Sequence, residues 1–552
     1  LLIFCWYRYI INELRKINVV DKLNRELVVD ILQSIVEIVT YGDRHDSSIF
    51  EYEPSFSLVY NLQYFDDSSV RLFPLSLFRC FMEYQVLAEF VRVLKISKDS
   101  KIEAPLLQYL SIMIQNLDSE HAIYYCFSNE YVNSIITHQF DFEGGDLAPY
   151  YISFLRAVSY KLNRDTLCLL VKVQEDTVVS FPLYSEALKF AQHGEKMIQT
   201  AVRALTLNVY NVGDDMVFQY LTTPPVSKYF SDLVLSMREQ CIHIDGLVQA
   251  TKEVGAHERR KEVVLETDKF VDDLYYLKDI LSVGDSRLSR IVLQNLFGSL
   301  VFPILFPLLQ LDENNGPNLS VATSLYIVSR LLQIVDDKDM VDSVASFILY
   351  PYAISNLGIT GMEKRAEGTS QTENLVSHVY RSEELVCSGP ESERAQKMDI
   401  SCLFEHLHEL MSSISQPFSN TWDNIQTERG RIDLYLFTDN HSQLLAALYL
   451  FIVLAESKDL DPLLASVIGL SQNINMQKGV MLSNGSLSHI VDGSIFLRHF
   501  PQILNGLLKI LSYKQPFPVV TQWHTGWFLR KLLIFHERRL TDLDFQSFNV
   551  WI

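Results

Sequence analysis

"VVSFPLYSEALKFAQHGEKMIQTAVRALTLNVY" (Val178–Tyr210) holds two amphipathic helices in succession, and reading them decides the fold. Tyr184, Ala187, Leu188 and Ala191 recur at three- and four-residue spacing, which gathers them on one helical face. Past Gly194, the residues Met197, Ile198, Ala201, Val202, Leu205 and Val209 repeat the pattern on a second helix. The tripeptide Phe181-Pro182-Leu183 opens the first helix. At a first helical position Pro182 loses no hydrogen bond and arrives with φ already set. Phe181 is placed to pack ahead of the helix and Leu183 to begin its buried face. The same three letters stand at Phe73-Pro74-Leu75 and Phe306-Pro307-Leu308, but the intervals are unequal and the flanks unrelated, so they mark no internal repeat.

The helical pattern extends in both directions. Val28, Ile31, Leu32, Ile35 and Val39 share a face that the spacing ends at Gly42 as a C-terminal cap. Leu106, Leu107, Leu110, Met113, Ile114 and Leu117 form another, with Pro105 in its first turn. Further helices are expected from Asn129 and from near Leu147. Long helices thus begin near Pro105, Leu147 and Lys196, a rhythm close to the ~40–47 residues of a HEAT or armadillo unit. Beyond residue 225, stripes at Phe270, Leu274, Leu277 and Leu281 and at Val321, Leu325, Val328, Leu332 and Val335 continue it. Strand-like alternation is scarce. The reading is an all-α, armadillo/HEAT-like helical solenoid with disordered loop insertions; an irregular helical bundle is the alternative. The polar, Ser/Glu-rich residues 358–398 read as a disordered loop and Ser471–Ser494 as a smaller one, while the aromatic residues 52–79 show neither helical nor strand period.

Composition narrows the function. The chain has 552 residues, with Lys+Arg 47 against Asp+Glu 67 and a net charge of −20. That balance argues against a nucleic-acid surface, which needs a basic stripe. Seven scattered cysteines without a C-x-x-C fit a reducing compartment better than a disulfide framework. No run reaches the ~18 apolar residues of a membrane span; Leu296–Leu309 and Leu444–Ala455 read as buried helices. The chain starts on Leu without a charged n-region, so it reads as a fragment rather than as one opening with a signal peptide.

Catalytic signatures are scarce. Neither phosphate-cradling glycine loops nor G-x-S-x-G nor H-E-x-x-H occurs. Cys241, His243 and Asp245 have metal-capable side chains, yet i, i+2 and i+4 do not converge on a helix. Glu405, His406, His408 and Glu409 read as a solvated face. No catalytic residue, metal or cofactor is expected. The charges Lys196, Arg203, Asp214 and Asp215 around the two helices are the candidate partner surface.

Longer strings carry a resemblance. "IQNLDSEHAIYYCFSNEYVNSIITHQFDF" (Ile114–Phe142), "YYISFLRAVSYKLN" (Tyr150–Asn163), the FPL segment and "VTQWHTGWFLRKLLIF" (Val520–Phe535) resemble the FPL-domain family of eukaryotic trafficking proteins, in wording nearest its plant branch. The resemblance covers roughly residues 15–50 and 80–545. It implies an N-terminal helical segment over 1–44, an FPL domain over 45–213 carrying the atypical insert 52–79, and a C-terminal helical region over 225–552. The family continues past the counterpart of Phe548.

By resemblance the protein is a non-catalytic scaffold, peripheral on Golgi, endosomal and vacuolar membranes. It would support transport to the lysosome or vacuole, vacuolar protein sorting and autophagy. Its partners would be small GTPases and tethering or coat components, with no nucleic acid and no small-molecule substrate. Ubiquitin-ligase association is a second reading, but the cysteines supply no RING ligand set. An enzyme with an unrecognised site and a karyopherin-like receptor for basic cargo complete the alternatives.

Overall fold

The computed structural model describes residues 2–46, 84–97, 100–143, 147–250, 256–305, 319–345 except 339 and 343, 441–458, 500–512 and 519–536. The insert at 52–79, the loops at 358–398 and 471–494, the acidic and histidine pair of pairs at 405–409, and the tripeptides at 73–75 and 306–308 lie outside these. The chain divides into two compact units, Leu1–Tyr229 with Val283–Leu288, and Phe230–Ser282 with Ser289–Ile552.

The first unit is a helical solenoid. Its helices are α1 (Leu2–Lys16), α2 (Arg25–Asp46), α3 (Val86–Ile96), α4 (Ser100–Asn116), α5 (Glu120–Ser128), α6 (Tyr131–Ile136), α7 (Leu147–Tyr160) and α8 (Arg164–Leu167). After strands β1 (Lys172–Gln174) and β2 (Thr177–Ser180) come α9 (Pro182–Leu188), α10 (Lys196–Asn211) and α11 (Asp215–Thr222). Two rows run through the unit. In one, α2, α4, α7 and α10 each pack on the next; in the other, α1, α3, α6 and α9 do the same. Each helix thereby buries its apolar stripe against neighbours from adjacent layers, as a repeat architecture requires. The innermost side chains, Leu32, Leu110, Leu155 and Leu205, are fully enclosed.

The first helix is fastened to the next layer through its C-terminal carbonyls. The Arg92 guanidinium donates to the Leu14 carbonyl at 2.7 Å and to the Ile17 carbonyl at 2.6 Å. Arg15 reaches across to Glu89 at 3.0 Å. A cation at a helix C-terminus satisfies orphan carbonyls and complements the helix dipole.

Several boundaries differ from the sequence reading. Helix α2 runs through Gly42 to Asp46, because glycine permits a left-handed cap without imposing one. Helix α4 starts at Ser100, so Pro105 sits inside it; tertiary burial of Ile102 and Glu103 carries the helix across the missing N–H. Asn129 closes α5 instead of opening the next helix, and Glu130, at φ 57°, makes the turn into α6. Helix α9 stops at Leu188, so Ala191 lies beyond it. Met197 is 73% exposed, because the first turn of α10 overhangs solvent and its buried stripe begins at Ile198. The hairpin β1–β2 is too short to announce itself by alternation; Glu175 and Asp176 form its turn with φ of 50° and 59°.

Helices α12 (Lys228–Ala250) and α14 (Ser286–Asn295) have their first residues in the first unit and continue in the second, where with α13 (Ala256–Ser282) they lead into a π-helical stretch, Leu296–Leu305, that contains Pro303. Helix α15 (Val321–Val335) packs on α13, on the π-helix and on α16 (His441–Glu456). Helices α17 (Phe500–Leu511) and α18 (Val519–His536) pair with each other, and α18 also touches α16. Among the described residues, Ser286–Leu305 is long and apolar enough to cross a membrane. Leu296, Phe297, Leu300, Val301, Ile304 and Leu305 are nevertheless buried within the fold, the state of a core helix.

Candidate functional site: the FPL joint and its charged flank

Strand β2 delivers the chain to Phe181, whose backbone leaves the strand at φ −135°, ψ 83° and serves as the N-cap of α9 with Pro182 in the first turn. No side chain caps this end. Instead the Phe181 carbonyl accepts from both the Ser185 N–H and the Ser185 hydroxyl, each at 3.0 Å. The Phe181 and Leu183 side chains are fully buried. The Phe181 ring lies nearly parallel to that of Tyr184, centroids 6.2 Å apart. One turn inward, the Tyr184 and Tyr210 hydroxyls meet at 2.8 Å in a fully buried hydrogen bond. A buried hydroxyl needs such a partner, so the two tyrosines fix how α9 docks on α10. The tripeptide is thus a joint in the core, with Pro182 partly exposed on its outer side.

Beside it, Phe190 turns back from the end of α9 into an aromatic group with Phe142 and Tyr151, at 5.0 and 5.9 Å. Tyr151 donates to the Ile136 carbonyl at 2.7 Å, and burial pushes its phenol far above the ordinary tyrosine range.

The charged flank divides. Lys196 is the first residue of α10 and Arg203 lies two turns on, while Asp214 and Asp215 follow the helix end. A 16-residue helix is about 24 Å long, so lysine and aspartates stand at opposite ends and form no single groove. Asp214 is the N-cap of α11, accepting from the Val217 N–H at 2.9 Å. Asp215 is the exposed member, and it pairs with Arg287 at 2.8 Å.

Arg287 was not legible as a site residue. It binds Asp285 at 2.7 Å and stands 5.5 Å over the Phe218 ring. Asp285 in turn accepts from the Arg287 and Leu288 N–H groups at the start of α14. The Arg287 hydrogen bond, followed by those backbone donors, holds the Asp285 carboxyl below its ordinary range. The sequence Asp285-Ser286-Arg287 signals a helix start, but nothing in it marks the distant Asp215.

The metal-capable run on α12 spreads apart. Cys241 is buried, with its thiol pushed up by burial; His243 is exposed and 3.8 Å from Glu266. Asp245 turns inward, where it accepts from the Ser320 hydroxyl at 2.5 Å and the Ser320 N–H at 3.1 Å, capping α15. Among the described residues no three His, Cys, Asp or Glu side chains gather as a metal group.

Residues 74–210 match the model of the FPL family, described as an uncharacterised conserved protein. Protein TRANSPARENT TESTA 9 of Arabidopsis thaliana is 33% identical over 586 residues, covering 98% of this chain and 66% of its own length. The chain belongs to the FPL family. This FPL-family chain is also similar to Protein CLEC16A of Homo sapiens, 32% identical over 346 residues, and to the Protein CLEC16A homolog of Drosophila melanogaster, 28% over 370. Those alignments cover 62% of the chain and only 30% and 32% of the two animal proteins. The FPL match contains α3 through α10 and ends on Tyr210, the residue whose hydroxyl meets Tyr184. The complete tripeptide inside the match is Phe181-Pro182-Leu183.

Proposed function

We propose that this FPL-family chain is a non-catalytic scaffold of membrane trafficking, acting in transport from endosomes to the lysosome or vacuole, in vacuolar protein sorting and in the regulation of autophagy. The observation that carries the proposal is the alignment to the plant relative over 98% of the chain. The architecture suits the role: stacked helices offer an extended, rigid surface to protein partners without any need for a catalytic constellation. The chain would sit peripherally on Golgi, endosomal and vacuolar membranes, recruited through small GTPases or tethering and coat components.

The test is rescue in plant cells that lack the endogenous FPL-family protein, scoring vacuolar cargo delivery and the position of a fluorescent tag. This chain is compared with a version lacking residues 52–79. Restored delivery from a membrane-bound tag supports the scaffold. A diffuse tag with missorted cargo for both versions overturns it for this chain.

A further inference from the structure

In the second unit, α15, α16 and α18 line a half-open cavity of about 360 Å³. Its lining is graded. Leu448, Ile452 and Thr525 are almost wholly buried and form the floor. Tyr326, Tyr449 and His524 are partly exposed and form the rim. The rim is stacked into place. Tyr326 and Tyr449 lie nearly parallel with centroids 6.5 Å apart, and the His524 ring meets Tyr449 edge-on at 5.9 Å. The Tyr449 hydroxyl is further held by donating to Gln333 at 3.0 Å. No Lys, Arg, Asp or Glu lines the space.

We infer that this cavity is a binding site for a small neutral amphiphile, with its apolar body against Leu448 and Ile452 and a hydrogen-bonding head at Tyr326 and His524. The volume falls within the roughly 300–1,000 Å³ of ligand pockets, and an apolar floor with a few polar groups to one side is their usual chemistry. The head is neutral because no Lys, Arg, Asp or Glu on the lining supplies a countercharge to an ionised one. Burial raises the Tyr326 phenol, so the hydroxyl remains a donor at neutral pH. Imidazole offers both a donor and an acceptor.

The site is independent of the trafficking proposal and is tested on the full chain in solution. Decan-1-ol, decanoate and decane are titrated by calorimetry, with the change in total tryptophan emission, to which Trp523 at 5.1 Å from His524 contributes, as a second readout. Decan-1-ol is expected to bind saturably at one site, at least tenfold tighter than decanoate or decane. Ala446 also lines the cavity, and Ala446→Trp fills the space and abolishes binding. Tyr326→Phe keeps the ring, removes the hydroxyl and weakens decan-1-ol several-fold while leaving decane unchanged. That second variant decides the matter if Ala446→Trp lowers the melting temperature. Binding of decanoate or decane equal to that of decan-1-ol, or full binding by Tyr326→Phe, overturns the assignment. So does no saturable binding at all, which would leave the cavity to a partner's side chain.

Discussion

The FPL joint and the Asp215–Arg287 corner lie near the same end of α10, which carries Tyr210 in its last turn and is followed by Asp214 and Asp215, yet they are held by different physics. At the joint, Phe181, Leu183, Tyr184 and Tyr210 are wholly buried, and the Tyr184–Tyr210 hydrogen bond is sealed from water. At the corner, Asp215 is 92% exposed and Arg287 is 40% exposed, so solvent screens their attraction. The tripeptide therefore stabilises the first unit through packing, whereas the Asp215–Arg287 pair adds little to the fold. A short sequence signature can mark a family through packing alone.

The largest expected effect breaks the joint. Phe181→Ala removes a buried ring and should lower the stability of the first unit by about 3–5 kcal/mol. Hydrogen exchange of the α9 and α10 amides would report it locally; protection equal to that of the parent chain would place the tripeptide outside the core. Tyr184→Phe removes the Tyr184–Tyr210 hydrogen bond and should cost about 0.5–1.5 kcal/mol. The double variant with Tyr210→Phe should cost less than the sum of the two, since both single variants lose the same hydrogen bond. Additive costs in a denaturation cycle would deny the coupling.

Asp214→Ala sharpens the contrast from the other side. Losing the cap of α11 should cost about 1 kcal/mol, whereas Asp215→Ala next to it should cost under about 1 kcal/mol, and less still in high salt. Equal, salt-independent losses would mean that the corner is structural after all. The smallest effect is on pH dependence. Because the folded carboxyl of Asp285 is held below its ordinary range, it contributes stability above about pH 4 that is lost as pH falls through the depressed folded value. Arg287→Gln removes the main cause, so acid denaturation of that variant should be shallower over this window. An unchanged profile would remove Arg287 from the account.

Much of the fold was legible because solenoid helices bury stripes at short sequence spacing. Ile198, Val202, Leu205 and Val209 could be assigned to one face from their order alone, and all four are buried. Helix ends were less legible. Gly42 and Pro105 lie inside helices although both residue types commonly end or begin them: glycine permits a cap without imposing one, and the burial of Ile102 and Glu103 carries α4 across the proline. The hairpin escaped notice because three or four residues cannot show alternation.

The candidate site was legible only in its parts. The sequence by itself determined the helical class, the family and the position of the FPL segment at a helix start, since each depends on neighbouring residues. Only the tertiary structure decided that Tyr184 meets Tyr210, that Arg287 closes on Asp215, and that Tyr326, Tyr449 and His524 border one cavity. Those contacts join residues 26 and 72 positions apart at the first two sites, distances over which helical periodicity carries no information.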